Sequence, residues 1–265
     1  GGKGGTLLRV TGQATVNVAD NLTLKNGAIV TARTATTSAV DKLHLIVAGT
    51  LSIDASSSID VTGKGYLPGR TTGNTATGAS TGKSGGSYGG SGGTVDGAAS
   101  EIYGDYSNPQ DFGSGGSGSG GTVTAGGGLV EIQATNLIVD GRIRANAESA
   151  NLGSGSGGGI KITTGILSGT GTISANGGSS NAPDSGPVPG SGGGGRVAVY
   201  AADLTTFDTS KITAYGGSTG IQGAAGTVYL RDTDLNMGTL IVNAGTGGKG
   251  GTLLRVTGQA TVNTI

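Results

Sequence analysis

Apolar residues in this chain come in short alternating runs, not at helical spacing. Five runs each follow a glycine: GLVEIQA (128–134), GIKITTG (159–165), GRVAVYA (195–201), GTVYLRD (226–232) and GTLLRV (251–256). Aligning Ile132, Ile162, Val199, Leu230 and Val256 gives spacings of 30, 37, 31 and 26 residues. A second run follows each of the first four, in GRIRAN (141–146), GTISANGG (171–178), SKITAYGG (210–217) and GTLIVNAG (238–245), with Ile143, Ile173, Ile212 and Leu240 as inward positions. Between the two lies a further aliphatic residue, Leu137, Leu167, Leu204 or Leu235. The earlier stretch KLHLIVAGTLSIDASSSIDVTG (42–63) follows the same rule with Leu45, Leu51 and Ile59. Alternation with period two, bounded by Gly, Asn, Asp and Ser, predicts strands of three to five residues.

A unit of this kind cannot bury its few aliphatic side chains alone, and stacking successive units buries a continuous strip. The expected fold is therefore an all-β parallel β-solenoid, a β-helix with about three strands per coil and about six coils per 246-residue period, each layer about 4.8 Å above the last. The Gly/Ser-rich spacers are expected at corner loops, as in ANGGSSNAPDSGPVPGSGGGG (175–195) and AYGGSTGIQGAAG (214–226).

Composition sharpens this picture. Glycine accounts for 59 of 265 residues, roughly 22%, about three times its usual share. Helix is disfavoured, because each glycine costs about 1 kcal/mol there relative to alanine. Collagen is excluded, since glycine does not recur every third residue and there are only five prolines. The ordered apolar runs, in a chain that is 34% hydrophobic, argue against disorder. Aromatics make up only 3%, as a narrow interior would select. Sixteen Lys+Arg balance sixteen Asp+Glu, leaving no electrostatic footprint for nucleic acid. No apolar run approaches the length needed to cross a bilayer. With no cysteine, the redox compartment is open. Gly1 is preceded by neither an initiator Met nor a signal peptide, which reads as a piece of something longer.

The most specific feature is a duplication. Residues 1–17, GGKGGTLLRVTGQATVN, recur letter for letter as residues 247–263. The chain thus reads as one period of a tandem array plus the start of the next. Four segments follow: first coils over 1–61, a long insertion over 62–127, further coils over 128–246, and the next repeat beginning at 247–265. The candidate interface residues are Leu7, Leu8, Val10 and Val16 with their copies Leu253, Leu254, Val256 and Val262. The insertion contains GSGGSGSGG (113–121) yet also holds five of the nine aromatics, Tyr66, Tyr88, Tyr103, Tyr106 and Phe112. A simple flexible linker would not concentrate aromatics. The segment is expected either to pack on the flank or to face a partner, and these five are the candidate ligand contacts.

Several chemical motifs arise by accident in so glycine-rich a chain. G-x-S-x-G occurs at 85–89, 89–93 and 216–220, but the one histidine, His44, cannot serve three serines and is expected to face solvent. GSGGSG (113–118) lacks the strand and helix of a dinucleotide loop, and GASTGKS (78–84) is one residue short of a phosphate loop. Asp54, Asp60, Asp140, Asp203, Asp208, Asp232 and Asp234 are placed at strand ends and corners, without the paired geometry of a polysaccharide-cleaving site. The acidic segment 96–111 lacks calcium-loop spacing, and Thr122-Val123-Thr124 has no counterpart for an ice-binding ladder. Asn21-Leu22-Thr23 is the one glycosylation sequon, meaningful only in a secreted context. No catalytic residue, metal site or cofactor is expected.

The recurring string of glycine, I-x-I, L, G-x-I-x-A and GG resembles the β-helical repeats of large bacterial surface proteins, the filamentous-haemagglutinin-like adhesins and autotransporter-passenger-type stalks. That resemblance implies a secreted, rod-like structural or adhesive protein at the cell surface. The higher glycine content and the 246-residue duplication shift the expectation towards a fibre shaft. Its coils would continue end to end, by covalent continuation in a giant repeat protein or head to tail between subunits. The alternatives are an adhesin stalk whose 62–127 segment binds a glycan or surface ligand and, less favoured, a β-helical polysaccharide-active enzyme.

Overall fold

The computed structural model describes residues 6–11, 15–181, 188–235 and 238–245. The alternating runs form strands β1 (Leu7–Val10), β2 (Thr15–Val18), β3 (Leu22–Leu24), β4 (Ile29–Ala32), β5 (Leu43–Ile53), β6 (Ser58–Asp60) and β7 (Leu129–Val139). They continue as β8 (Arg142–Arg144), β9 (Gly159–Ser168), β10 (Thr172–Ser174), β11 (Arg196–Asp203), β12 (Ile212–Thr213), β13 (Thr227–Asp232) and β14 (Gly238–Ile241). Among the described residues helix is confined to two 3-10 turns, Thr72–Asn74 and Thr209–Lys211.

Two sheets result. β1, β4, β6, β8, β10 and β12 lie side by side in that order, every pair parallel. The second sheet runs β2, β5, β7, β9, β11, β13, β14, with β3 also paired to β5. Its strands are parallel except the last, where β14 runs antiparallel to β13. Because the side-chain period is two, alignment stacks like on like. Leu8, Val30, Ile59, Ile143, Ile173 and Ile212 form one inward ladder. Val16, Leu45, Ile132, Ile162, Val199 and Leu230 form another, and Leu22, Leu51, Leu137 and Leu167 a third. Apart from the terminal members these residues are buried in a single core.

The expected parallel β-solenoid is corrected by this architecture. Two runs expected as separate strands are one: β5 carries both Leu45 and Leu51, β7 both Ile132 and Leu137, and β9 both Ile162 and Leu167. A register shift between Val47 and Thr50 absorbs the break that the sequence suggests. Strands thus line two sides of the core, not three. The stack is also mixed, since β14 reverses direction. Among the described residues the fold is a two-sheet, fourteen-strand domain with glycine-rich segments packed beside it. Leu235, expected inside, is 55% exposed, and Leu204 and Leu240 are only partly buried. Leu235 lies in the reversal between β13 and β14, where no further strand covers it. Val256, aligned with Leu230 on spacing, lies outside the described residues, whereas Val10 in the first copy of the repeat belongs to β1 and pairs with Ala32.

The glycine-rich segments are not corner loops either. They pack against one another through backbone hydrogen bonds whose partners advance three residues at a time. Tyr66 N–H donates to Gly113 O (3.0 Å) and Gly69 N–H to Gly116 O (2.9 Å). Ser154 N–H donates to Gly190 O (3.1 Å) and Gly157 N–H to Gly193 O (2.9 Å). Antiparallel pairs keep the same step, with Gly113 N–H on Gly127 O (2.9 Å) and Gly116 N–H on Thr124 O (3.0 Å). Three residues per turn is the repeat of a polyproline II helix, which has no internal hydrogen bonds and so leaves its backbone groups for neighbours. Close approach explains the glycines: a Cβ at Gly113 would sit 2.5 Å from the carbonyl oxygens of both Ser156 and Gly157. Buried serines satisfy the leftover groups, as where Ser156 Oγ accepts Ser114 N–H (2.9 Å) and Ser180 Oγ donates to Leu152 O (2.8 Å).

Candidate functional site: the open edges of the strand stack

The six-stranded sheet is open at both edges among the described residues. β1 pairs only with β4 and β12 only with β10, so each leaves a row of backbone N–H and C=O groups without a strand partner. On β1, Leu7 is 54% and Leu8 45% exposed, with Ile29 of β4 exposed alongside. Val10 is buried, and Val16 on β2 is half-buried against Leu45. At the far end a cleft of about 310 Å³ opens beside β12, its wall mixing the apolar Ile212, Val228 and Ile241 with the polar Thr209, Ser210 and Asn243. The eight-stranded sheet differs at this end, because β14 already covers β13. The copied positions Leu253, Leu254, Val256 and Val262 lie outside the described residues.

The aromatics of the 62–127 segment are not an exposed ligand platform. Tyr66 and Tyr88 are buried, which corrects their reading as candidate ligand contacts. Tyr66 packs edge-on to Phe112 (centroids 5.6 Å apart) and Tyr88 against Tyr103 (4.9 Å). The Tyr103 hydroxyl donates to Phe112 O (2.5 Å) and lies 2.9 Å from Ser114 Oγ. Burial raises the pKa of Tyr66, Tyr88 and Tyr103, so all three are neutral hydroxyls. Tyr106 alone reaches the outer face of the eight-stranded sheet, edge-on to Tyr229 at 5.4 Å. These rings pack because the segment folds back through the glycine-rich layer, where Gly86 N–H donates to Ser154 O and Gly89 N–H to Gly194 O.

Arg196, which sequence inspection passes over, is the pivot of this cluster. It is 1% exposed, its Cζ lies 5.4 Å from the Tyr88 ring centroid, and it donates to Tyr103 O and Thr227 Oγ1. Burial lowers its pKa and raises that of the neighbouring Asp111. An arginine at the start of an alternating run carries no sequence signal for contact with a residue 93 positions away.

The remaining polar groups hold structure in place. His44, expected to face solvent, lies half-buried on the outer face, its Nδ1 2.9 Å from Thr15 Oγ1 and its Nε2 3.9 Å from Glu131. Lys42 and Lys161 flank the same carboxylate at 3.3 and 3.9 Å. Asp54, Asp203 and Asp208 each accept the N–H and hydroxyl of the residue two positions on, closing tight turns. Asp60 pairs with Arg144 (2.5 Å), and Asp140 accepts from Thr170 across to the next layer. Ser87, centre of one G-x-S-x-G, is buried and accepts Gly92 N–H. Among the described residues no group of three or more His, Cys, Asp or Glu could hold a metal ion, and no helix is long and apolar enough to cross a membrane.

No family model, curated protein or solved structure matches the chain.

Proposed function

We propose that this protein is a structural module of an extracellular fibre at the cell surface, joined end to end through its sheets. The observation that carries this reading is the pair of edges on one sheet that are open among the described residues, β1 with exposed leucines at one end and β12 beside a cleft at the other. Unpaired strand edges template further strands. The repeat of residues 1–17 at 247–263 supports continuation, because it supplies the same edge sequence at both ends. The resemblance to bacterial surface stalks points the same way.

Electron microscopy of the purified chain across a concentration series, with sedimentation in parallel, tests this. Unbranched rods that lengthen with concentration are expected. A monodisperse monomer at every concentration, with no filament in the native material, overturns the reading.

A further inference from the structure

We infer that β12 is the docking strand for β1 of a second copy of this chain, with Leu8 of the incoming copy seated opposite Ile212. This rests on the fibre reading and adds the edge, the register and the partner.

The register comes from a single ladder. Leu8 faces Val30, and the line continues through Ile59, Ile143 and Ile173 to Ile212. Its interior members are essentially inaccessible, whereas Leu8 is 45% exposed, with no described strand beyond it. At the opposite end Ile212 and Ala214 form part of the wall of the 310 Å³ cleft, with Val228 and Ile241 facing them from the other sheet. Among the described residues, one end of the ladder thus presents an apolar side chain with no strand beside it, and the other a cleft with Ile212 at its wall. Arg9 would fall opposite Thr213, both on the outer face.

Polarity permits the match. All six strands run in the same direction, so a second copy reaches β12 by translation along the stack without reversal. Such a head-to-tail contact is heterologous and does not close, which produces a filament. Parallel extension of the eight-stranded sheet is blocked at this end by the antiparallel β14, which leaves β12 as the edge where the parallel pattern can proceed. Residues 253–256 carry the same four letters as β1. A second copy is the better occupant, because one interface then covers both open edges of every chain, while a chain's own tail on β12 would leave β1 bare.

The chain has no cysteine, which permits site-directed cross-linking. One population carries Arg9→Cys and another Thr213→Cys, and the two are mixed with a short bis-maleimide. Covalent heterodimers are expected in the mixture and not in either population alone. Adding Leu8→Asp should lower the cross-linked fraction about tenfold or more, since a charge would be set against Ile212. Circular dichroism should show that variant still folded, because Leu8 is exposed within one copy. Leu235→Asp, outside the cleft, should leave cross-linking unchanged. Fibres without Arg9–Thr213 cross-links overturn the docking while the fibre reading stands. An intrachain link in an Arg255→Cys, Thr213→Cys double variant assigns the edge to the chain's own tail and also overturns it. Absence of any assembly removes both.

Discussion

The Arg196 guanidinium donates twice to one acceptor, the carbonyl oxygen of Tyr103, from Nε at 3.0 Å and Nη2 at 2.8 Å. This joins the first residue of β11 to a segment 93 positions earlier, and Nη1 reaches Thr227 Oγ1 at 3.2 Å on the adjoining strand. The charge sits over the Tyr88 ring, with Asp105 and Asp111 within electrostatic reach. A buried cation is retained only where its hydrogen bonds, packing and nearby charges compensate for desolvation.

Arg196→Lys should therefore cost about 2–3 kcal/mol, because a lysine cannot reproduce the planar fork and leaves bonds to Tyr103 and Thr227 unmade. Urea unfolding followed by tyrosine fluorescence checks this. An unchanged midpoint would show that Arg196 does not hold the 62–127 segment to β11.

Two glycines separate close packing from backbone conformation. Gly113→Ala places a methyl 2.5 Å from two backbone carbonyl oxygens, neither of which can rotate away, and should cost on the order of 3 kcal/mol or prevent folding. Gly120 has φ of +85°, and a methyl group on its Cα would meet nothing within 4 Å. Gly120→Ala should therefore cost only about 1–2 kcal/mol, from left-handed backbone strain. Equal thermal shifts in the two variants would contradict the packed-layer account.

Aspartate introduced at two aliphatic positions should behave oppositely. Ile143 is fully buried in the middle of its ladder, and Ile143→Asp should unfold the domain by stranding a charge in the core. Leu235 is mostly exposed, and Leu235→Asp should change stability by less than about 0.5 kcal/mol. Circular dichroism melts distinguish the two.

Acid sensitivity should track the aspartate turns. Hydrogen bonds from the Ser56 hydroxyl, the Asn26 N–H and the Ser56 N–H hold the Asp54 carboxyl down to about 2, and bonds from Thr205 and Ser210 lower Asp203 and Asp208. A folded pKa below the unfolded value of about 3.9 gives stabilisation that is complete above that value and is lost as pH falls through the folded pKa. The melting temperature should therefore drop between about pH 4 and pH 2. Asp54→Asn should flatten that acid limb. A limb of unchanged steepness would assign the acid loss to other carboxylates.

Much of the inward surface is legible from alternation alone. Spacing aligns Ile132, Ile162, Val199 and Leu230, and they share one ladder, because period-two patterning is a local property of an extended backbone. The neighbouring runs at Leu45 and Leu51 give no sign that they fuse into one strand, since Ala48 and Gly49 between them look like a break. Leu235 and Leu240 continue the pattern of earlier units, yet β14 turns back on β13. Strand direction depends on what the chain meets after a turn, which alternation does not encode.

The sequence by itself determined a nearly all-β chain, one inward aliphatic residue in many of the strands, and the 17-residue string that occurs twice. Tertiary structure alone decided that there are two sheets, that the last strand reverses, that Tyr66 and Tyr88 are buried, and that the glycine-rich segments pack on one another. The physical reason is that a core aliphatic announces its environment through its side chain, whereas glycine has none. Its partner is whichever backbone comes close enough to bond, and that proximity exists only in three dimensions.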